Sequence, residues 1–363
     1  MSSQGRCDVL LCEAGGRVGY QVLRSLARHG LRVGVCDSSD RGMSFRSRYA
    51  VRKAVSPSPV RNPDGYARFV ASEAASSGAV AVLPIFYPEV LSERRKMLPE
   101  GVLLPVETPE KLRMLDDKLS ACSLAASLGI RQPRMYADPA EVDCWPAVFK
   151  RTSGLGGSGV YFPKDAAALS NLVSKSRRGG YLIMDFIDGS DVCVDAVRWG
   201  SFYQAWAYRV LEPRTKGMSV LRESVEAPEL ISALKSILDE IDYNGLCGCD
   251  FRVDNVTGES YFLECNPRFS GGLGSQIASG FDQPYVLWQA STGLALDCTT
   301  SGFISGKVTE SLGDALTLLN RKFKKKTLSW AEVRACLGLF GRTFDDFYLD
   351  DLRAGVYSLL HGR

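Results

Sequence analysis

The chain has 363 residues, a formal net charge of +3 from 44 basic and 41 acidic side chains, and 45% hydrophobic residues, as in an ordinary soluble globular protein of two or three domains. Two histidines, His29 and His361, leave little room for a multi-histidine zinc centre, a Ser-His-Asp triad or a Cys-His pair, and both read as exposed bystanders. The near-neutral charge gives no reason to expect nucleic acid as the partner. Eleven scattered cysteines with no CxxC pair read as small buried hydrophobes in a reducing cytoplasm. No apolar run is long enough to span a membrane, and the polar N-terminus does not read as a secretion signal.

In chain order, Cys7–Cys12 reads as a buried strand. Gly15, Gly16 and Gly19 make a turn into an amphipathic helix (Val18, Val22, Leu23, Leu26) that Gly30 stops. Leu31–Cys36, Tyr49–Val55, Ala79–Ile85 and Val102–Pro105 are further strands, and Pro63–Ser77 is a helix. This alternation predicts an α/β fold opening on a doubly wound parallel sheet. Thr108-Pro109 starts one helix with a stripe of Leu112, Leu115, Leu119 and Cys122, ended by Gly129. Strands at Val148–Lys150 and Val160–Phe162 flank a glycine-rich loop. A helix at Ala166–Ser176 and strands at Tyr181–Met184, Val192–Val197 and Ser201–Val210 follow. A helix at Pro228–Ile241 precedes a hairpin of 248–254 and 260–266, and the tail from about 308 reads as mostly helical. The expected division is an N-terminal domain over 1–110, a helical link and lid over 111–190, and a C-terminal part over 191–363.

The hairpin carries the most chemistry. With the turn centred on Thr257, Asp254 pairs with Ser260 and Asp250 lies opposite Glu264, with Arg252 and Asn266 on the same face. Phe251, Val253, Tyr261, Leu263 and Cys265 make the other face, of core composition. Like charges directly opposed are destabilising. Two carboxylates and an amide oxygen suit Mg²⁺, which shares its shell with phosphate and water. A solvated face with Arg252 neutralising the acids is the competing reading. Lys150 precedes a loop with four glycines in six residues, Gly154, Gly156, Gly157 and Gly159, interrupted by Leu155 and Ser158. Such a loop brings backbone N–H groups close to an anion, although it lacks the GK[ST] of a Walker A loop; a flexible hairpin tip is the alternative. Tyr181–Asp195 runs strand, acidic turn, strand, and reads first as an ordinary turn. Ala14-x-Gly16-x-x-Gly19 with Asp37 is a dinucleotide fingerprint lacking its first glycine, and it supports an NAD-dependent oxidoreductase as an alternative. The basic run Arg321–Lys326 reads as a solvated helix end.

The order of these pieces resembles the ATP-grasp carboxylate–amine ligases over roughly residues 5–300, most specifically at Lys118, Phe149–Tyr161 and Phe262–Gly272 (FLECNPRFSGG), in the manner of the carbamoyl-phosphate-synthase-like branch. The resemblance implies an ATP-grasp fold behind a doubly wound N-terminal domain that frames the acceptor site. It implies ATP and Mg²⁺ (or Mn²⁺) as cofactors. Lys118 and Lys150 would contact phosphates, and Gly154, Gly156, Gly157, Ser158 and Gly159 would form the lid. Backbone groups of Asp185 and Ile187 would bind adenine, and Asp191 the ribose. Asp250, Glu264 and Asn266 would hold the metal, and Arg268 would stabilise the acyl phosphate. Met184 stands where many relatives carry glutamate, Asp191 is shorter than the usual glutamate, and Asp250 replaces a glutamine or glutamate.

The resemblance implies a reaction that joins a small carboxylate, expected to be an amino acid, to an amine through an acyl phosphate. A small-molecule ATP-grasp kinase is the nearest enzymatic competitor. Glu89 is a candidate for an ammonium group or a simple helix-start acid; Arg214 and Lys216 are candidates for phosphates or a substrate carboxylate or a solvated loop. The expected partners are the two small substrates, with no nucleic acid and no membrane, and a homodimer is a family-level expectation.

Overall fold

The computed structural model describes residues 5–152, 159–176, 180–213, 219–294, 303–324, 327, 329 and 343–361. Strands β1 (Val9–Cys12), β2 (Val33–Asp37), β3 (Ala50–Val55) and β4 (Ala81–Pro84) form a parallel sheet in the order β3-β2-β1-β4. The unbroken apolar run of β1 has a direct cause: alternate residues serve two cores. Val9 and Leu11 pack with Val22, Leu23 and Leu26 of α1 (Arg17–Arg28). Leu10 and Cys12 pack with Tyr66 and Val70. The latter belong to α3 (Pro63–Ser77), which Asn62 caps through Gly65 N–H; a short α2 (Met43–Arg46) precedes it. Gly30, at φ +85°, lets the chain turn after α1. After β4 comes α4 (Pro88–Glu93). The strand expected at Val102–Pro105 reduces to a single parallel bridge between Leu103 and Ala81, because Pro99 and Pro105 flank it and supply no amide hydrogens.

The helix expected from Thr108 to Gly129 is two helices, α5 (Pro109–Asp116) and α6 (Lys118–Ser127). Asp117 stands between them in an extended conformation, ψ 115°, and its carboxylate accepts from Ser120 N–H, so it caps the second helix instead of continuing the first. The predicted apolar stripe is broken accordingly: Leu119 is half exposed while Leu112, Leu115 and Cys122 are buried. Next comes a sheet ordered β5-β8-β6-β7, from β5 (Met135–Tyr136), β6 (Ala147–Arg151), β7 (Val160–Tyr161) and β8 (Tyr181–Asp185). Helix α7 (Ala166–Lys175) covers it through Leu169, against Phe149 and Ile183.

A seven-stranded sheet completes the molecule: β9 (Gly189–Trp199), β10 (Phe202–Pro213), β11 (Ser219–Ser224), β12 (Gly245–Asp254), β13 (Ser260–Asn266), β14 (Val308–Glu310) and β15 (Thr343–Phe344), ordered β13-β12-β9-β10-β11-β14-β15. One face packs on α8 (Pro228–Glu240) and on α5 and α6, with Leu234, Ile237, Val194 and Cys247 at the centre. The other face shares a core with the first sheet, where Val197, Trp206, Tyr208 and Phe269 meet Tyr20 and Leu26. Helices α9 (Leu273–Ala278), α10 (Gln283–Thr292), α11 (Leu312–Lys324) and α12 (Leu352–His361) fill this side. The tail is therefore less purely helical than expected, since β14 and β15 extend the sheet. The nine described cysteines are unpaired and seven are buried. No helix among the described residues is long and apolar enough to cross a membrane.

Candidate active site

The hairpin brings Asp250 directly opposite Glu264, as the spacing predicts, but by an irregular route. The ladder runs Gly248↔Asn266, Cys249↔Cys265 and Asp250↔Glu264, then shifts to Phe251↔Phe262 and Val253↔Ser260. Leu263 is the extra residue of a β-bulge. The expected Asp254–Ser260 pair does not form, and the expected face assignment changes on the turn side. Phe262 enters the core edge-on against Phe251, while Leu263 is only partly buried. The bulge lets Phe262 and Cys265 both face the core with Glu264 facing away from it.

Three elements converge on Glu264. Lys150, on β6, places Nζ 2.5 Å from Glu264 Oε2, and Lys118, the first residue of α6, places Nζ 3.6 Å from the same oxygen. Both lysines are buried. Burial alone would raise the Glu264 carboxyl, but Lys150, Lys118 and Arg268 together hold it down to about 2. Asp250 moves the other way: burial, and then repulsion from Glu264, push it up to about 6. An anionic pair with one member well compensated and the other not is what a shared cation would relieve. Asn266 Nδ2 donates to Asp250 Oδ2 (3.3 Å), and its Oδ1 accepts from Arg268 Nη2 (2.8 Å). Arg268 Nε is buried without a hydrogen-bond partner, a donor left over for an anion. Two carboxylates and an amide oxygen cannot fill a metal's shell, and among the described residues no cluster of three or more acidic, histidine or cysteine ligands occurs. That donor set fits Mg²⁺ completed by phosphate oxygens and water.

The other expected residues fall as follows. Asp185 N–H donates to Arg134 carbonyl (3.0 Å), and the Ile187 carbonyl accepts from Arg252 Nε (3.1 Å). Asp185 Oδ1 accepts from Tyr136 OH (2.5 Å). Asp191 Oδ1 accepts from Arg252 Nη1 (2.7 Å), so Arg252 ties the hairpin to the β8–β9 connection instead of neutralising the opposed acids. Gly159 has φ +94° and its carbonyl accepts from Arg151 N–H. Gly154, Gly156, Gly157, Ser158, Arg214 and Lys216 lie outside the described residues. Glu89 sits in the first turn of α4, half buried, with its carboxyl raised by burial; Arg268 acts in the opposite sense. The fingerprint turn is present, but Asp37 Oδ2, at the end of β2, accepts from Gly15 N–H (2.8 Å), so the carboxylate of the fingerprint braces the glycine turn.

Sequence reasoning missed three acids, two of which, Asp116 and Asp195, feel the charge of Arg268. Asp116, at the end of α5, has its carboxyl raised by burial against the pull of Arg268 and Lys118. Asp195, on β9, is buried and bonded to the loop after β13. Glu13 follows β1 with φ +53°, an uncommon backbone conformation for this residue type. Its carboxylate accepts from Ile85 N–H (3.2 Å), Phe86 N–H (3.3 Å) and Tyr66 OH. Only the unusual glutamate between a strand and a glycine turn signalled Glu13, and nothing in the pattern marked Asp116.

Residues 178–305 match the family described as ATP-grasp in the biosynthetic pathway with Ter operon. Over this segment, about a third of its length, the chain is similar to ATP-grasp proteins. A 5-formaminoimidazole-4-carboxamide ribofuranosyl monophosphate synthetase of Caldivirga maquilingensis is 24% identical over 172 residues, 47% of this chain and 48% of the relative, so the match spans about half the relative's length. Among solved structures, biotin carboxylase of Campylobacter jejuni in a nucleotide complex matches at TM-score 0.68 and 16% identity, covering 84% of this chain and 74% of that one. The biotin carboxylase domain of Hydrogenobacter thermophilus 2-oxoglutarate carboxylase, solved with MgADP and bicarbonate, matches at TM-score 0.67 and 16% identity over 84% of this chain and 73% of that one. The ADP complex of purK, an N5-carboxyaminoimidazole ribonucleotide synthetase, matches at TM-score 0.67 and 16% identity, over 88% of this chain and 86% of the other. At these identities the solved structures establish the ATP-grasp fold.

Proposed function

We propose that this chain is a MgATP-dependent ligase that joins a small carboxylate to an amine and releases ADP and phosphate. The observation that carries the reading is the convergence on one hairpin of Asp250 and Glu264, opposed in register, with Lys118, Lys150 and Arg268 around them. Bound Mg²⁺ would neutralise phosphate charge between Asp250, Glu264 and Asn266. ATP would lie between the β6–β8 sheet and the hairpin, with Lys118 and Lys150 moving from Glu264 to phosphate oxygens. Among the described residues, the hydrogen bonds already made leave the Asp185 carbonyl and the Ile187 N–H for a purine edge, one acceptor and one donor. Those match the amino group and ring nitrogen of adenine. Met184 is buried between Met135 and Val148 and offers no polar contact, so base selection would rest on this backbone pair.

In the first step a carboxylate oxygen attacks the γ-phosphorus and the bond to the β–γ bridging oxygen breaks, giving an acyl phosphate and ADP. In the second an amine attacks the acyl carbon, the acyl C–O bond breaks, phosphate leaves and the amine loses a proton. Arg268, a planar cation with a free donor, would hold the acyl-phosphate oxygens. No histidine is needed where positioning and charge neutralisation supply the catalysis. The acceptor pocket would sit outside the carboxyl ends of β1 and β4, where the strand order reverses. Glu89 and Asp116, which both feel the charge of Arg268, would border that crevice, a sign distribution suited to an amino acid: ammonium to the acids, carboxylate to the guanidinium.

The test is ADP release from MgATP with pools of amino acids and other small carboxylates in the presence of hydroxylamine. ADP release with a hydroxamate is the expected result, and Glu264→Gln should reduce it about a hundredfold or more, the scale of removing one electrostatic contact to a transition state. ADP release without hydroxamate from any pool would point to phosphoryl transfer to a hydroxyl. A protein that binds NAD but not ATP would sink the ligase reading.

A further inference from the structure

In the loop Pro267–Gly272, which joins β13 to α9 and carries Arg268, Arg268 N–H reaches back to the Asn266 carbonyl, Leu273 N–H donates to the Ser270 carbonyl, and the Gly272 carbonyl at its end accepts from Ser275 and Gln276 N–H. Phe269 anchors the loop in the core shared with the first sheet, and its middle is bonded to one buried side chain from a strand two positions away in the sheet. Asp195, on β9, is 1% exposed. Its Oδ2 accepts from Ser270 Oγ (2.9 Å) and from Gln276 Nε2 (2.5 Å). Gln276 is itself fully buried in α9, and its Nε2 also donates to Ser270 Oγ (3.1 Å). Ser270 Oγ then accepts from Gly272 N–H (3.1 Å). One carboxylate oxygen thus fixes both the middle of the loop and the first helix after it.

The surroundings are shaped for this contact. Asp195 pairs with Gly248 on β12, and a Cβ at Gly248 would collide with Asp195 Oδ1, so the neighbouring strand carries no side chain there. At the far end of the loop a Cβ on Gly272 would run into the Tyr208 ring, from β10 on the same face. The loop is held between a buried carboxyl and an aromatic wall. Arg268 lies two residues before Ser270, and among the described residues its guanidinium is located by a bond to Asn266 Oδ1.

We propose that Asp195 is a positioning residue for Arg268: through Ser270 and Gln276 it locks the β13–α9 loop and so sets where the guanidinium meets the reacting phosphate. The activity arm of the proposal rests on the ligase reading; the loop-ordering arm does not. The role calls for a buried acceptor of the right shape, not for charge, since both contacts are accepted bonds. An amide oxygen can accept both.

The experiment compares Asp195→Ala, Asp195→Asn and the partner-side double variant Ser270→Ala/Gln276→Leu in the full chain. Amide hydrogen exchange in residues 268–273 is read against the β12–β13 ladder, and ADP release is read as kcat and KM for MgATP. Asp195→Ala should speed loop exchange about tenfold while ladder protection stays, as local opening of a loop predicts. Its kcat should fall about a hundredfold with KM for MgATP changed less than about threefold, the scale expected when a reacting group is misplaced by about an ångström. Asp195→Asn should restore both, and the double variant should reproduce the alanine phenotype if Asp195→Ala does not fold. Unchanged loop exchange in Asp195→Ala, or in the double variant where the alanine does not fold, overturns the proposal. So does an asparagine variant as impaired as the alanine, because the charge would then be the requirement. If the wild-type chain releases no ADP with any pool, the ligase reading fails and the exchange measurements still decide the positioning role.

Discussion

Glu13 combines three features that rarely coincide: a positive φ, full burial, and bonds from two backbone amides and a tyrosine hydroxyl. Burial pushes its carboxyl up to about 8, outweighing the amides of Phe86 and Ile85 that pull it down. An unfolded glutamate titrates near about 4.3. Folding therefore favours the protonated form, and the associated stability is full below pH about 4 and is lost as pH rises through about 8. Asp195, also raised to about 8 by burial, contributes in the same sense. The expected outcome is a melting temperature that falls from pH 5 to pH 9, with a shallower fall in Glu13→Gln, measured by thermal unfolding across buffers. A slope unchanged by Glu13→Gln would mean that the carboxylate is charged in the folded protein. At this scale the sequence was partly legible. The opposed acids, their amide neighbour, both lysines and Arg268 all come from local spacing or motif. Glu13, Asp116 and Asp195 do not, because their surroundings come largely from residues more than 50 positions away, and no local pattern encodes that.

Element boundaries explain how Lys118 reaches the site. A single helix from Thr108 to Gly129 would carry Lys118 around on the same cylinder as Leu115 and Leu119. The break at Asp117 starts a new helix whose first residue is Lys118, beside Glu264. The signal was present in Asp116-Asp117 before Ser120, an acid placed where a cap belongs, but the continuing apolar period obscured it. The bulge at Leu263 is a similar case: alternation assigned Phe262 and Leu263 to the wrong faces, while the charged pair survived because the shift lies on the turn side of Glu264. Asp117→Ala removes the cap, with an expected cost of about 1 kcal/mol. If the break aims the lysine, KM for MgATP should rise several-fold with kcat less affected, read from ADP-release kinetics. Denaturant unfolding gives the stability loss independently. A variant that is destabilised but keeps its KM would show that Lys118 finds its place without the cap.

At the scale of the whole molecule, the C-terminal segment is stitched to the N-terminal sheet by buried charge. Arg222 on β11 pairs with Asp345 at 2.6 Å with both side chains at zero exposure. Arg17, at the start of α1, reaches Asp314 at 2.6 Å and also Ser311, whose hydroxyl donates to Asp345. Gln21 on α1 donates to the Asp345 carbonyl, and Asp346 accepts from the Leu312 and Gly313 amides that open α11. The acidic run Thr343–Asp351 takes this joining role: it connects α1, β11 and α11 in one desolvated network. Such a network contributes less by its net energy than by the penalty for breaking it, since a lone buried charge is strongly unfavourable. Arg222→Met should therefore cost about 3–5 kcal/mol, read as a lowered denaturation midpoint. Arg222→Met with Asp345→Leu should regain part of that, because the stranded carboxylate goes with its partner. The network also links the sheet bearing the hairpin acids to the helix that follows Glu13, so the two halves of the proposed cleft should unfold together. Coincident transitions by far-ultraviolet dichroism and tryptophan fluorescence would agree with that coupling. Two separated transitions in the wild-type chain would mean that the buried charges join surfaces that fold independently, and the cleft would then be held by the apolar core around Tyr20, Leu26 and Trp206 alone.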